Sequence, residues 1–415
     1  NGEAFTWESE RDGWRHVYTV SRTDGAVHCI TPWPLDVIQL LKVDEQEGWL
    51  YFIASPENPS QRYLYRSKLT GEGSPERLSP ANLPGTHTYD ISPDGRWAFH
   101  RYSTLTTPWV TFLVHLPDHR AVRVLADNAR LAAKVKALRW GPVSFTRVDI
   151  GGGVRLDAWR MNPPGFDPTR KYPLLMHVYG EPAAQTVLDQ WSSQTLWHLL
   201  LNQKGYIVMS VDNRGTPAPR GRAWRKCIYR QIGVLASADQ AAALRSILAA
   251  DQSIDPGRVG IWGWSGGGSM SLNAIFRYPE LYQTAVAVAS VPDQRLYDSI
   301  YQERYMETPE DNPEGYRDGS PITWAHQLKG DLLLIHGTGD DNVHYQGAER
   351  LVNELIKDNK QFTFMPYPNR SHGIYEGPGT TLHLFTLITD YLAEHLPTGA
   401  SPKALASPVS GPRSH

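Results

Sequence analysis

The sequence predicts an α/β domain that follows an antiparallel all-β region. Before about residue 145, short runs rich in aromatic and β-branched residues alternate with glycine-containing turn signals, which is typical of antiparallel strands. After about residue 150, apolar runs alternate with helical patterns, and this indicates a mostly parallel sheet covered on both faces. A serine in a glycine-rich turn follows one of these apolar runs. These observations together set the fold class.

The bulk composition fits a multidomain globular protein. A chain of 415 residues is long for one domain, and 40% hydrophobic with 20% charged residues supports a packed core. The net charge of −2 without a basic patch argues against nucleic acid as a partner. The sequence contains no run of 18 or more apolar residues, so no membrane span is predicted. Cys29 and Cys227 match no metal spacing and no disulfide framework, so the compartment stays open, with a periplasmic or secreted location favoured.

The β region, residues 1–145, predicts about three propeller-like blades. Residues 5–13 and 89–95 both resemble the strand–turn corners of blades, and Asp-Gly turns supply the positive φ that tight hairpins need. Three blades cannot close a propeller. We therefore expect an incomplete β-propeller whose other blades precede Asn1; the alternative is that this β region is not a propeller. The predicted strands are Phe5–Ser9, His16–Ser21, Trp49–Ala54, Tyr63–Leu69, Trp97–Tyr102, Trp109–Leu116 and Val122–Leu125.

Residues 146–397 are predicted to form the α/β domain, and residues 398–415 a disordered tail, since they are rich in Pro, Ser, Ala and Gly. Near-continuous apolar strands imply that the sheet is buried. The predicted strands are Pro173–Tyr179, Tyr206–Asp212, Val259–Trp262, Thr284–Ala289, Leu332–His336 and Phe362–Pro366. The predicted helices are Trp191–Gln203, Val234–Ala250, Ser269–Arg277, Tyr345–Asp358 and Thr380–His395.

The pentad Gly263-Trp264-Ser265-Gly266-Gly267 matches the G-x-S-x-G pattern of a nucleophile elbow. A glycine-rich turn without chemistry is the alternative. The context favours chemistry, because a buried strand precedes the pentad and a helix follows it. Such a turn exposes the serine hydroxyl above the sheet, next to the positive end of a helix. The sequence therefore predicts an α/β-hydrolase catalytic domain with Ser265 as its acylating nucleophile.

An acid and a base should follow in the chain order Ser, Asp, His. Asp340 and Asp341 both lie in the loop after the strand Leu332–His336. We assign Asp340 as the acid and Asp341 as a helix cap or support. His372 lies in the loop after the last predicted strand and is the expected base. His336 is the rival, but it ends a buried strand and is expected to be a hydrogen-bonded structural residue.

These three groups supply base, nucleophile and charge stabilisation, so no metal or organic cofactor is expected. The tetrahedral oxyanion also needs donors. The backbone N–H of Gly266, directly after the nucleophile, is one. The loop after the first core strand has no run of three glycines, and Tyr179 could donate its phenol hydroxyl there instead. The alternative for Tyr179 is a packing role in the core.

Four separated segments, in order, resemble the dipeptidyl peptidase IV family within the prolyl oligopeptidase clan of serine peptidases. They are GIWGWS at 260–265, YDSIYQERYM at 297–306, HGTGDDNVH at 336–344 and SHGI at 371–374. The resemblance covers the hydrolase part and, more weakly, the β region. It implies a peptidase that acts on peptide substrates, releases short N-terminal fragments after Pro or Ala, and forms a homodimer through its hydrolase domain.

The resemblance also assigns roles to individual residues. Ser265, Asp340 and His372 match the family triad, and Tyr179 matches the family's oxyanion tyrosine. The residues that match walls of the family's proline pocket are Tyr297, Tyr301, Val291 and Val343. Asn342 matches a residue that hydrogen-bonds a substrate carbonyl. Two tyrosines at i and i+4 would fall on one helix face and could hold a flat pyrrolidine ring; the alternative is that both are packing residues.

Three departures from the family pattern bear on specificity. Gly266 stands where better-known members carry an aromatic residue, and Gln294 stands where a pocket tryptophan is common. Residues 1–150 contain no match to the paired glutamates that bind the substrate ammonium, nor to the propeller arginine. The leading interpretation is a serine dipeptidyl peptidase. The alternatives are a prolyl tripeptidyl or acylaminoacyl peptidase, a carboxylesterase, and an inactive binding relative.

Overall fold

The computed structural model describes residues 2–399, and its β region consists of three antiparallel meander sheets. In each sheet, strands that follow one another in the chain pair as neighbours. The strands are β1 (Ala4–Ser9), β2 (His16–Ser21) and β3 (Val27–Cys29); β4 (Gln39–Asp44), β5 (Trp49–Ala54), β6 (Tyr63–Lys68) and β7 (Glu76–Arg77); and β8 (Thr86–Ile91), β9 (Trp97–Thr104), β10 (Thr107–His115) and β11 (Arg120–Ala126).

The three sheets confirm the predicted propeller-like blades. All seven predicted strands are present, each within three residues of its predicted ends. The Asp94-Gly95 turn explains one of the glycines: Gly95 has a φ of +70°, and a Cβ there would stand 2.7 Å from an oxygen of Asp44. The strands that the sequence pattern missed are mostly short or poorly alternating: β3, β4, β7 and β8.

The second part of the chain is built on one mixed sheet of eight strands. Its order is β12-β13-β15-β14-β16-β17-β18-β19. The β12–β13 and β13–β15 pairs are antiparallel, and the other neighbouring pairs are parallel. The predicted α/β-hydrolase architecture is therefore confirmed. The strands are β12 (Val143–Asp149), β13 (Arg155–Met161), β14 (Tyr172–His177), β15 (Ile207–Val211), β16 (Ile254–Trp264), β17 (Thr284–Val288), β18 (Asp331–Gly337) and β19 (Thr363–Tyr367).

The two antiparallel strands, β12 and β13, were not predicted. β12 is the edge strand and is mostly exposed, so it lacks the apolar run that identifies a buried strand. The predicted domain boundary at 145/146 falls inside β12. Of the predicted tail, residues 400–415 lie outside the described residues.

Two hydrophobic cores, one on each face of the sheet, hold the helices. Neighbouring residues of β14 divide between them: Leu174 and Met176 belong to one core and Leu175 to the other, as strand alternation requires. The first core includes residues of α4, α5 and α8, and the second includes residues of α2 and α9. The helices are α1 (Ala129–Ala137), α2 (Thr195–Gln203), α3 (Gly221–Lys226), α4 (Val234–Ala250), α5 (Gly266–Arg277), α6 (Ser299–Met306), α7 (Pro313–Gly319), α8 (Tyr345–Lys357) and α9 (Thr380–His395).

The β region is fastened to the hydrolase domain by buried polar contacts. Arg225 donates to both oxygens of Asp36 at 2.8 and 2.7 Å and to Glu10 at 2.8 Å. Arg62 donates to the Gln185 side chain at 2.5 Å, in the loop that follows β14. The β region thus lies against this loop, which also carries Tyr179. Among residues 2–399, no helix has the length and apolar content that a membrane crossing needs.

Candidate active site

Ser265 occupies a strained turn between β16 and α5. Its backbone has φ +59° and ψ −122°, a region that residues with a side chain rarely adopt. The Ser265 N–H donates to the carbonyl of Val288 at 2.8 Å, and its carbonyl accepts from the Ser269 N–H at 3.0 Å. The turn is therefore locked to β17 on one side and to the helix on the other. This is the geometry expected of a nucleophile elbow.

The glycines around Ser265 permit close backbone contacts. A Cβ on Gly263 would stand 2.4 Å from Gly267 backbone atoms and 2.6 Å from the Val178 carbonyl oxygen. A Cβ on Gly267 would stand 2.2 Å from that same oxygen. Because backbone atoms cannot move aside as a flexible side chain can, the turn requires glycine at both positions.

We expect Gly263→Ala to destabilise the protein by on the order of 3 kcal/mol and to remove activity, because overpacking here forces backbone apart. Denaturant unfolding measures the first effect. Gly257→Ala is the matched control on the same strand, because its Cβ would meet only a side-chain oxygen of Asp255 at 3.3 Å. Equal midpoints for the two variants would contradict this account of the elbow.

His372 and Asp340 form a hydrogen-bonded pair. The His372 Nδ1 lies 2.8 Å from Asp340 Oδ2, and the Asp340 side chain is fully buried. Asp340 Oδ1 accepts from the backbone N–H groups of Asn342 and Val343 at 3.0 and 2.8 Å. Burial acts to raise the pKa of Asp340, but the hydrogen bonds from His336, His372 and Val343 outweigh it and hold the pKa well below its ordinary value. The Asp340 carboxylate is therefore charged near neutral pH.

The loops that carry Asp340 and His372 are bound to each other. The Gly339 N–H donates to the carbonyl of Arg370 at 3.1 Å, and the Asn369 N–H donates to the Thr338 hydroxyl at 2.8 Å. The indole N–H of Trp264, next to Ser265, donates to the His372 carbonyl at 2.9 Å. The elbow and both loops therefore share one edge of the sheet, where the parallel strands end.

The two rival residues behave differently from the assigned ones. His336 is fully buried, and its Nε2 lies 2.8 Å from the Val343 carbonyl and 3.3 Å from Asp340 Oδ2. The expected structural role of His336 fits these contacts. Asp341 is exposed and does not cap α8, because that helix begins at Tyr345 with His344 as its N-cap. The predicted cap role of Asp341 is wrong, because Asp341 lies four residues before the first residue of α8, and the N-cap position belongs to His344.

Two potential oxyanion donors lie at Ser265. Tyr179 and Ser265 line the same cavity, and burial, more than any other influence, raises the pKa of the Tyr179 phenol above its ordinary value. The phenol therefore keeps its proton as a donor. The N–H of Gly266 belongs to the first turn of α5, where N–H groups have no acceptor within the helix. Both groups that the sequence suggested are adjacent to the nucleophile.

The predicted pocket tyrosines are in contact, but not as the sequence pattern suggested. The rings of Tyr297 and Tyr301 meet edge to face with centroids 5.4 Å apart. Tyr297 is not helical: α6 begins at Ser299 with Asp298 as its N-cap, whose side chain accepts from the Tyr301 N–H. The prediction that both tyrosines lie on one helix face is wrong, because α6 begins only after its N-cap Asp298 and Tyr297 precedes that cap.

The other predicted pocket residues are partly enclosed. Val291 and Val343 are buried, and the Val291 N–H donates to the Ser269 hydroxyl at 2.8 Å. Asn342 is exposed, and its backbone N–H donates to Asp340 Oδ1. Gln294, which stands where a pocket tryptophan is common, is buried and its side chain is hydrogen-bonded to Gln302.

Glu181 is a site residue that the sequence reasoning missed. Its side chain is buried, and the Tyr301 hydroxyl donates to its Oε2 at 3.1 Å. Burial raises the pKa of Glu181 to about 7, although the Tyr301 hydrogen bond acts to lower it. The available signal was a carboxylate two positions after Tyr179, followed directly by Pro182, Ala183 and Ala184.

The raised pKa of Glu181 predicts a pH dependence of stability. Between its ordinary value of 4.5 and about 7, the unfolded chain loses this proton and the folded chain keeps it. The free energy of unfolding should therefore fall as pH rises through this window, by about 1.4 kcal/mol per pH unit from this group. Glu181→Gln should remove that contribution in urea unfolding at pH 4.5–7.5. Parallel pH curves for the variant and the wild type would contradict the assignment.

A cavity of about 330 Å³ opens beside Ser265 and Tyr179. Its larger walls are aromatic rings and imidazoles: Trp159, Trp262, Trp264, His177 and His198. Burial lowers the pKa of His177 to about 4 and that of His198 well below its ordinary value, so both rings are neutral near pH 7. Neither Tyr297 nor Tyr301 is among the residues that line this cavity.

One group among residues 2–399 has the composition of a metal site: Asp12, His16 and Cys29. Both nitrogens of His16 are already engaged, with the Asp12 carboxylate and with the Trp33 carbonyl, each at 2.7 Å. The group lies in the β region and includes none of the residues around Ser265.

Comparison with known proteins follows the two parts of the chain. The profile of the prolyl oligopeptidase family matches residues 191–398, and that of the dipeptidyl peptidase IV N-terminal region matches residues 1–109. Dipeptidyl peptidase 4 of Trichophyton equinum is 31% identical over 90% of this chain and 49% of its own length. A probable dipeptidyl-aminopeptidase B of Emericella nidulans is 36% identical over 80% of this chain and 37% of its own length.

Solved structures give the same relationship. The crystal structure of Porphyromonas gingivalis dipeptidyl peptidase 4 superposes with a TM-score of 0.89 at 36% identity, over 95% of this chain and 55% of that one. The chain spans about half the length of the relatives that it matches. With its family profiles matching both the β region and the hydrolase domain, the chain belongs to the dipeptidyl peptidase IV family, within the prolyl oligopeptidase family of serine peptidases.

Proposed function

We propose that this protein is a serine exopeptidase that releases dipeptides from free N-termini, preferentially after Pro or Ala. Ser265 is the nucleophile, His372 the base and Asp340 the acid of its triad. The observation that carries the proposal is the 2.8 Å hydrogen bond between His372 and the buried Asp340, in loops bound to the elbow of Ser265. The names of the relatives support the dipeptidyl reaction.

The proposed reaction follows from these groups. His372 takes the Ser265 proton as the hydroxyl oxygen attacks the scissile carbonyl, and Asp340 holds the imidazole and stabilises its cation. The negative oxygen of the tetrahedral intermediate accepts hydrogen bonds from the Gly266 N–H and the Tyr179 hydroxyl. Protonated His372 then gives its proton to the leaving amine. Water hydrolyses the acyl-enzyme by the same steps and frees the dipeptide.

The residue before the scissile bond, P1, is proposed to bind between Tyr297 and Tyr301, beside Val291 and Val343. The two phenol rings meet at 73°, which leaves an aromatic corner that can hold the flat face of a pyrrolidine ring. Asn342 is proposed to hydrogen-bond a substrate carbonyl. The cavity beside Ser265 is proposed to receive the leaving part of the peptide, because it is separate from the tyrosine pair.

A panel of chromogenic substrates tests the proposal with the purified protein. Gly-Pro, Ala-Ala-Pro and acetyl-Ala anilides are compared with a nitrophenyl ester, and the free-amine Gly-Pro anilide should have the highest kcat/KM. Highest activity on Ala-Ala-Pro or acetyl-Ala anilide would instead indicate a tripeptidyl or acylaminoacyl peptidase. Turnover of the ester alone would indicate a carboxylesterase, and no turnover an inactive relative. The homodimer stays a prediction, which light scattering of the purified protein tests.

A further inference from the structure

Glu181 places a carboxyl group among the residues proposed to bind and activate the substrate. It follows Tyr179 by two positions and accepts the hydrogen bond of the Tyr301 hydroxyl at 3.1 Å. The negative charge of Glu181 raises the pKa of three phenols, those of Tyr179, Tyr297 and Tyr301. Burial has the largest effect on the pKa of each. Glu181 thus lies within the tyrosine cluster and not at the surface, with 5% of it exposed.

The carboxyl group fills space that the glycine after the nucleophile leaves open. A Cβ on Gly266 would stand 2.8 Å from both Cδ and Oε2 of Glu181. A larger side chain at 266 could not coexist with Glu181 in this position. The position of the Glu181 side chain therefore depends on glycine at 266. The side chain next to the residue after the nucleophile comes from the loop that carries Tyr179, and it is polar.

The environment of Glu181 leaves its hydrogen-bonding capacity largely unused. A carboxylate can accept about four hydrogen bonds. Among residues 2–399, Tyr301 is the one group that donates to it, and burial and this hydrogen bond alone set its pKa, with no contribution from a cation. A buried carboxyl group without a cation is costly and needs a purpose or a partner. A donor on a bound substrate is the partner that this location provides.

We propose that Glu181 is the hydrogen-bond acceptor of the P1 pocket and favours substrates whose P1 side chain ends in a short donor, a hydroxyl or an ammonium, over isosteric apolar side chains. The inference rests on the proposed function, because P1 is defined by Ser265 and the tyrosine pair. Glu181 is a specificity residue in this account. It takes no proton from the reacting atoms.

Two isosteric substrate pairs test the inference with the purified protein. The P1 residues of Gly-Xaa aminocoumarin amides are serine against 2-aminobutyrate, and 2,4-diaminobutyrate against norvaline. Each pair exchanges a methyl group for a donor. The wild type should prefer the hydroxyl by at least about 3-fold and the ammonium by about 10-fold or more in kcat/KM, because hydrogen bonds to charged groups are the stronger. Equal kcat/KM within both pairs would overturn the proposal.

Two variants identify the acceptor. Glu181→Leu removes it and should bring both ratios to about 1. Glu181→Gln keeps an acceptor oxygen but loses the charge, so the hydroxyl preference should survive and the ammonium preference should disappear. Glu349→Leu, an exposed glutamate of α8, is the control that should leave both ratios unchanged. If Glu181→Leu does not fold, Glu181→Gln and the wild-type ratios still decide the question.

Other outcomes separate this inference from its competitors. If Glu181 has only a structural role, its substitution should change the activity on all substrates alike and leave the two ratios as they are. If Glu181 binds the substrate's N-terminal ammonium, its substitution should raise KM for every free-amine substrate, again without changing the ratios. Both results overturn the proposal. Gly-Pro aminocoumarin amide is the reference. If the wild type does not cleave it, the proposed function fails; if it cleaves it but shows no donor preference, this inference alone fails.

Discussion

Replacement of Ser265 by alanine is expected to lower kcat by about 10⁶-fold, because loss of the nucleophile of such a triad removes nearly all its catalysis. The residual rate would come from the oxyanion donors Tyr179 and Gly266, which the substitution leaves in place. The strained backbone of residue 265 should be retained, since it is fixed by the hydrogen bonds of its own N–H and carbonyl. Stopped assays with Gly-Pro anilide at high enzyme concentration measure the loss.

Ser271→Ala is the matched control for this substitution. Ser271 is a buried serine of α5, and its hydroxyl donates to the Gly267 carbonyl inside the helix at 2.9 Å. The control should keep activity within about tenfold, because a helix-internal hydroxyl contributes only about 1 kcal/mol. A loss below 100-fold for Ser265→Ala would contradict the nucleophile assignment, since the oxyanion donors alone do not sustain that rate.

Asp340→Asn is expected to lower kcat by about 10⁴-fold. Asp340 accepts hydrogen bonds through both oxygens, from His372 on one and from the Asn342 and Val343 N–H groups on the other. Because those backbone donors need an oxygen, an asparagine at 340 would turn its amide NH₂ toward His372. The imidazole would then adopt the tautomer that cannot take the Ser265 proton at Nε2. Steady-state kinetics with Gly-Pro anilide measure the effect.

Asp341→Asn provides the matched control, one residue along the same loop. Asp341 is exposed, and neither His372 nor the cap of α8 depends on it. Its substitution should leave kcat within about threefold, since surface changes away from the site have small effects. Comparable losses for the two asparagine variants would show that the loop as a whole, and not the buried carboxylate, is responsible.

The parts of the fold that the sequence predicted well carry strong local signals. The boundaries of α4 and α9 were predicted to the residue, and α4 is rich in alanine, the residue with the highest helix propensity. The buried parallel strands around β16 were found from their apolar runs. The elbow followed from its position between a strand and a helix, and the order Ser, Asp, His directed attention to Asp340 and His372.

The parts that the sequence did not reveal depend on contacts between distant segments. β12 is an exposed edge strand and has no apolar run to mark it. The side chain of Asp298 caps the N-terminus of α6, so the helix includes Tyr301 but not Tyr297. The i, i+4 spacing of the two tyrosines does not show where the helix begins. Glu181 became visible only when the loop after β14 was brought against Gly266 and Tyr301. No single segment contains that information.

Active-site labelling with a fluorophosphonate, followed by peptide mass spectrometry, tests the central claim most directly. Attack of an activated serine hydroxyl on phosphorus expels fluoride and leaves a stable phosphonyl ester on the oxygen. The account predicts one adduct, on the peptide that contains Ser265, and slower labelling by at least about 100-fold in His372→Ala, because the base is then missing. An adduct on a different serine, or labelling of Ser265 at the wild-type rate without His372, would contradict it.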